Sequence, residues 1–204
     1  FTLKVHVVDV KDPTVALATG KTLTFNYGDT LDFDSLDSYF VASDNGTAHG
    51  GTVSITSFVF DSASLTADKT FTTSDVGTHT LAVTATDSSG NTGVKSFEVT
   101  VKDNVAPVVS RVDGGTTGTI QIGLSRLLDL DDSLLLSMFT ATDAVDGDVT
   151  SSLYIDGDTV PTKVGTYSLK VSAKDAAGNI GSMTVSVVVS ADLPPVLILG
   201  DTLI

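Results

Sequence analysis

Cysteine and tryptophan are both absent from this chain. Without cysteine there are no disulfides and no thiolate metal sites. With no tryptophan and only four tyrosines, there is little from which to build an exposed aromatic platform for sugars. Glutamate is nearly missing as well: of 25 acidic residues only Glu98 is glutamate, which leaves 24 aspartates. Lysine and arginine together number 11, so the net charge is −14. That charge argues against nucleic acid or an anionic membrane surface as a partner. No apolar run reaches the length of a membrane span, so membrane insertion is not expected. The three histidines, His6, His49 and His79, have no metal-ligand spacing. Neither a Gly-x-Ser-x-Gly elbow nor a phosphate-cradling glycine loop occurs, so the chain reads as non-enzymatic.

What the chain does contain, it contains twice. Residues 75–109 and 163–197 align with most matching positions 88 apart, as in Gly77 and Gly165, Leu81 and Leu169, Asp87 and Asp175, Asn91 and Asn179, and Pro107 and Pro195. Each copy runs turn, strand, Asp-x-x-Gly-Asn turn, strand, then a proline that opens the next unit. Repeats of this length mean tandem small domains, and about 90 residues suffice to bury a modest core.

The apolar residues, 41% of the chain, fall in short alternating runs that suit half-buried strands. Leu81-Ala-Val83-Thr-Ala85 and Leu169-Lys-Val171-Ser-Ala173 are examples, and turn residues punctuate them every 8–12 positions. The expected fold is all-β: tandem immunoglobulin-like antiparallel β-sandwiches, spanning 13–102 and 103–191. Residues 1–12 repeat the end of the first unit, with Lys4, Val8 and Val10 matching Lys95, Val99 and Val101. They read as the terminal strand of a preceding unit or a donor strand. Residues 192–204 read as the first strand of a following unit or a strand for assembly, and Phe1 begins within a strand pattern, as in a mature form or a fragment. A short helical turn is expected at 131–137, another at 34–39, and an additional loop or lengthened hairpin at 49–69. In the second unit Tyr167 stands two residues before Leu169, the spacing of the corner tyrosine of immunoglobulin domains. In the first unit His79 takes that place.

Aspartate without glutamate fits tight turns and oxygen-ligand cation sites alike, because the shorter side chain stays close to its own backbone. In an immunoglobulin-like order, the loop with Asp143, Asp146 and Asp148 and the turn with Asp175 and Asn179 share the end of the sandwich where the chain enters, through Asp103 and Asn104. Carboxylates about 5 Å apart repel by roughly 1–3 kcal/mol per pair. A hard divalent cation with six to eight oxygen ligands offsets that repulsion, and Ca²⁺ suits flexible loops better than Mg²⁺. The first unit carries a poorer version of the set: Asp12, Asp44, Asn45, Asp87 and Asn91.

The run Ala141-x-Asp143-x-x-Asp146-Gly-Asp148-Val-Thr150, then Val164-Gly-Thr-Tyr167, then Asp175-x-Ala-Gly178-Asn179-x-Gly181 resembles bacterial immunoglobulin-like repeat domains. The likeness covers nearly all of the second unit and the first from Asp75 onward. It implies strings of domains on large extracellular surface proteins, adhesins and secreted enzymes of bacteria or archaea, often with Ca²⁺ stiffening the joints. The expected partners are neighbouring domains or subunits of the same protein and a host or cell-surface ligand. Two other readings stay open: a subunit of a filament or surface layer assembled by strand addition, and a glycan-binding accessory domain of a secreted enzyme.

Overall fold

The computed structural model describes residues 1–5, 8–44, 52–114, 119–125, 131–157 and 161–191. By its internal contacts the chain divides into two units, Phe1–Asn104 and Val105–Ile204.

In the first unit the strands are β1 (Thr14–Leu17), β2 (Thr24–Asn26), β3 (Thr30–Leu31), β4 (Phe40–Ser43), β5 (Val53–Phe60), β6 (Ala63–Leu65), β7 (Lys69–Thr70), β8 (Gly77–Asp87) and β9 (Thr92–Lys102). Alternation decides how they pack. Along β8, Leu81, Val83 and Ala85 are all fully buried while the residues between them are not. A period of two puts one face of a strand inward, and burial of that face drives sheet packing. The main sheet runs β2-β9-β8-β5-β6, and β1 pairs with β4 in a separate ribbon. Val15 of β1 and Phe40 of β4 close over Leu81, Val83, Val99 and Val101, forming a sandwich core. Phenylalanines do much of the filling: Phe40 lies 5.8 Å from Phe58 and 4.9 Å from Phe97. The expected additional hairpin is β5–β6, turned by Asp61 and Ser62.

The second unit contains β10 (Val108–Arg111), β11 (Thr119–Gly123), the helix α1 (Asp132–Leu136), β12 (Phe139–Asp143), β13 (Gly147–Asp148), β14 (Tyr154–Ile155), β15 (Gly165–Lys174) and β16 (Ile180–Ser190). One sheet runs β11-β16-β15-β14 and the other β10-β12-β13. Val109, Phe139 and Ala141 of the smaller sheet pack on Leu169, Val171, Val185 and Val187 of the larger, so this unit too is an antiparallel sandwich with one parallel pair, β11 on β16. No disulfide links its sheets, and packing alone holds them. Helix α1 starts as its sequence suggested, with the Asp131 carboxylate accepting from Leu134 N at 2.7 Å. The turn expected at 34–39 is a short 3₁₀ segment, Leu36–Tyr39. Tyr167 donates its hydroxyl to the Lys163 carbonyl at 3.0 Å, which forms the corner.

Residues 1–5 and 8–12 make no strand ladder with the described residues of this chain. A strand needs a neighbouring ladder to satisfy its backbone, and no described segment of this chain supplies one. The strand expected at 192–204 lies outside the described residues.

Candidate cation site

Pairing registers bring the two acidic loops of the second unit together. Strand β10 is antiparallel to β12 with Val108 opposite Thr142, so the chain enters this unit beside Asp143. Strands β15 and β16 form a hairpin whose last pair is Lys174 with Ile180, which places the Asp175-to-Asn179 turn at the same end. At Gly181 a β-carbon would lie 1.6 Å from the Pro107 carbonyl oxygen, so only glycine lets the incoming backbone pass so close. The turn itself is organised by Asp175. Its Oδ1 accepts from the amides of Gly178 and Asn179 at 2.6 and 2.7 Å, and its Oδ2 accepts from Asn179 Nδ2 at 2.7 Å. Gly178 holds φ at +98°, a conformation that a side chain would oppose.

Asp143, at the end of β12, is 8% exposed. Its Oδ1 accepts from the Val145 and Asp146 amides at 2.7 and 3.1 Å. Its Oδ2 is buried and has no hydrogen-bond partner among the described residues. Asp146 crosses to the other loop, with Oδ2 accepting from Ala176 N at 2.8 Å. One carboxylate oxygen from each of Asp143, Asp146 and Asp175 lies within 4.8 Å of the others. Opposite ligands on a Ca²⁺ ion are about 4.6–5.2 Å apart, so this spacing suits a common ion.

Asp148 does not join this group. It is exposed and accepts from Thr150 N at 2.9 Å, and the hydrogen bonds from Thr150, side chain first, hold its carboxyl below the usual range. Asn179 acts on Asp175 as described. Asp103 and Asn104 are the last residues of the first unit, half-buried and exposed respectively.

The first unit has its own group, and its membership differs from the expected one. Asp9, Asp44 and Asp87 bring oxygens within 4.8 Å of one another, whereas exposed Asp12 is not among them. The signal for Asp9 was present in the sequence: it stands four residues before Pro13, as Asp103 stands four before Pro107. Matching the ends of the preceding strands instead puts Asp12 in that role. Asp87 repeats the Asp175 turn, accepting at Oδ1 from Ser89 and Asn91 amides at 2.8 and 2.9 Å and at Oδ2 from Asn91 Nδ2 at 2.8 Å. The Asn91 side chain is the main reason its carboxyl titrates below 3.8. Asn91 also donates to the Asp9 carbonyl at 3.2 Å. Asn45 lies outside the described residues. Both oxygens of Asp87 are thus engaged, and this group lacks a buried unpaired oxygen like that of Asp143.

No family model matches the chain. It is 30% identical over 200 residues to an uncharacterized 81.3 kDa protein of Acholeplasma phage L2, covering 97% of this chain and 25% of that protein. It is 34% identical over 115 residues to hyalin of Strongylocentrotus purpuratus, covering 53% of this chain and 9% of hyalin. The chain thus spans a quarter of the phage protein and a smaller part of hyalin. Among solved structures, the fibronectin(III)-like modules of Clostridium thermocellum CbhA align over 87% of this chain and 95% of theirs, at 16% identity and a TM-score of 0.32. Among the described residues no helix is long and apolar enough to cross a membrane.

Proposed function

We propose that the chain is a non-enzymatic structural module of an extracellular surface protein, a pair of immunoglobulin-like repeats whose second unit binds Ca²⁺ through Asp143, Asp146 and Asp175. One observation carries this reading: the buried, unpartnered Oδ2 of Asp143 beside two further carboxylates. Burying a carboxylate oxygen without a partner is costly, and a divalent cation removes both that cost and the mutual repulsion. Affinities of extracellular Ca²⁺ modules lie around 10⁻⁴–10⁻³ M, which suits a site outside the cell.

The test is calorimetric titration of the full chain with Ca²⁺, with melting and small-angle scattering in Ca²⁺ and in chelator. At a hundredfold excess over Kd the ion stabilises by about 2.7 kcal/mol. For a unit of this size that is roughly 10–20 °C in Tm. Superimposable curves with and without the ion reject the proposal.

A second reading is favoured by the segment before β1. Phe1, Leu3, Val5, Val8 and Val10 are all exposed there, an apolar row that a sheet edge of a neighbouring repeat or subunit would cover. Sedimentation of the chain with and without residues 1–12 tests it, and self-association that needs the segment supports assembly by strand addition. The glycan-binding reading lacks a platform, since Tyr27, Tyr39, Tyr154 and Tyr167 are all half-buried.

A further inference from the structure

The two units close the same corner with different chemistry. In the second, the Tyr167 hydroxyl reaches the carbonyl four residues upstream, that of Lys163, at 3.0 Å. In the first, His79 reaches the carbonyl four residues upstream, that of Asp75, through Nε2 at 2.7 Å. A carbonyl oxygen can only accept, so Nε2 carries a proton. The other ring nitrogen, Nδ1, faces the Asp61 carboxylate at Oδ2, 2.5 Å away. A neutral imidazole has one N–H, and a lone pair at Nδ1 would point at a carboxylate oxygen. Only the imidazolium donates both bonds at once.

We propose that His79 is a proton-operated clamp in the first unit, fastening the β5–β6 hairpin to the corner at the start of β8 when charged and releasing it when neutral. Asp61 is built into the turn it would hold. It lies at φ +44° followed by Ser62 at +72°, conformations disfavoured for side-chain-bearing residues. Its Oδ1 also accepts from Thr80 N at 2.9 Å, so a single carboxylate spans the turn and two residues of β8. Phe60 covers one face of the imidazole, with ring centres 5.1 Å apart.

The charged groups around the clamp are Asp61 from the β5–β6 turn, Asp75 from the 3₁₀ turn Thr73–Asp75, and Lys69 from β7. From β9 the residue paired with His79 is Val99, which does not titrate. Lys69 is bound to Asp75 Oδ1 at 2.8 Å, which spends that cation on the other acid. Burial pulls the imidazole down, but its bonds to Asp61 and Asp75 and their charges outweigh this, and His79 titrates above 6.5. Asp61 is held below 3.8, first by the Thr80 amide and then by His79. The sign follows from both shifts. The contribution of His79 is complete below 6.5 and is lost as pH rises through its folded value. That of Asp61 is present above 3.8 and is lost as pH falls through its own folded value. The clamp is therefore tightest in mildly acidic solution and opens on the alkaline side.

The experiment follows the His79 ring by NMR titration of the full chain. It adds hydrogen exchange at Thr80, corrected for intrinsic rate, at about pH 5.5 and about pH 8.5. The expected results are a His79 midpoint above 6.5 and slower Thr80 exchange at the lower pH. In His79→Tyr, which restores the corner of the second unit, that pH dependence should disappear. Asp61→Gly, which suits the turn and removes the carboxylate, should lower the His79 midpoint. A wild-type midpoint at or below 6.5, or unchanged pH dependence at Thr80 in His79→Tyr, overturns the proposal.

Discussion

Replacing Asp143 with asparagine should raise the stability of the second unit in chelator and forfeit that gain, wholly or in part, in Ca²⁺. Asparagine keeps an oxygen for the Val145 and Asp146 amides, so the local turn survives. What it loses is the negative charge next to Asp146 and Asp175, whose oxygens lie within 4.8 Å. At that distance a pair of like charges repels by about 0.9 kcal/mol in a water-like dielectric and about 3.5 kcal/mol at an effective value of 20. Two pairs vanish, so in chelator Asp143→Asn should stabilise by about 2 kcal/mol at the lower bound, and less in high salt. In saturating Ca²⁺ the same substitution removes an anionic ligand and should forfeit most of the roughly 2.7 kcal/mol that the ion supplies at a hundredfold excess. Denaturant unfolding of the full chain in both conditions reads the difference. Asp148→Asn is the control, because Asp148 is exposed, lies outside the group and should respond equally in both solutions. If Asp143→Asn destabilises by the same amount in chelator and in Ca²⁺, the buried oxygen is not a metal ligand and the argument fails.

Gly181→Ala would drive a β-carbon into the Pro107 carbonyl, with backbone on both sides, and should cost about 3 kcal/mol or more in denaturant unfolding; Gly93→Ala, 1.8 Å from the Pro13 oxygen, should behave alike. Leu169 is 1% exposed in a core with no disulfide, and Leu169→Ala should lower stability by about 2–5 kcal/mol, measured as a shift in the denaturation midpoint. Burial works against the Asp75 carboxylate, yet Lys69 and Thr72 hold it at about 2, so its contribution is full above 3.8 and lost as pH falls toward 2. In Asp75→Asn that part of the acid unfolding of the first unit should be missing from a pH series of denaturation curves.

The sandwich strands could be read from sequence because alternation and burial obey one period, as Leu81, Val83 and Ala85 show beside Leu169, Val171 and Ala173. The Asp-x-x-Gly-Asn turns could be read because each closes on itself within five residues. The aspartate of the turn binds its own amides and the asparagine side chain, so no distant partner enters. Contacts made across a register are harder to foresee. Asp9 reaches Asp44 and Asp87 because of where Pro13 seats beside Gly93, which a strand-end alignment misplaces by three residues. His79 looked solitary because its partners lie 18 residues back on a hairpin turn and four residues back on the main chain. Spacing rules for metal ligands do not search for an acceptor of that kind.

The parallel pairing of β2 with β9 and of β11 with β16 has a mechanical consequence. In each unit an early strand lies beside the last described strand, pointing the same way. Tension along the chain draws the early strand toward the amino terminus and the last toward the carboxyl terminus. The hydrogen bonds between them then carry the load side by side and must yield together, whereas a hairpin peeled from its end gives way one bond at a time. In the first unit, main-chain bonds from Thr100 to Leu23 and from Tyr27 to Lys102 lengthen that ladder. In the second it runs through five residue pairs, from Thr119 with Ser186 to Gly123 with Ser190. In single-molecule pulling, each sandwich should give a discrete force peak, and substituting proline for Gln121 or Val188 should lower the peak of the second unit alone. Resistance to pulling along the chain would then reside in these short parallel ladders.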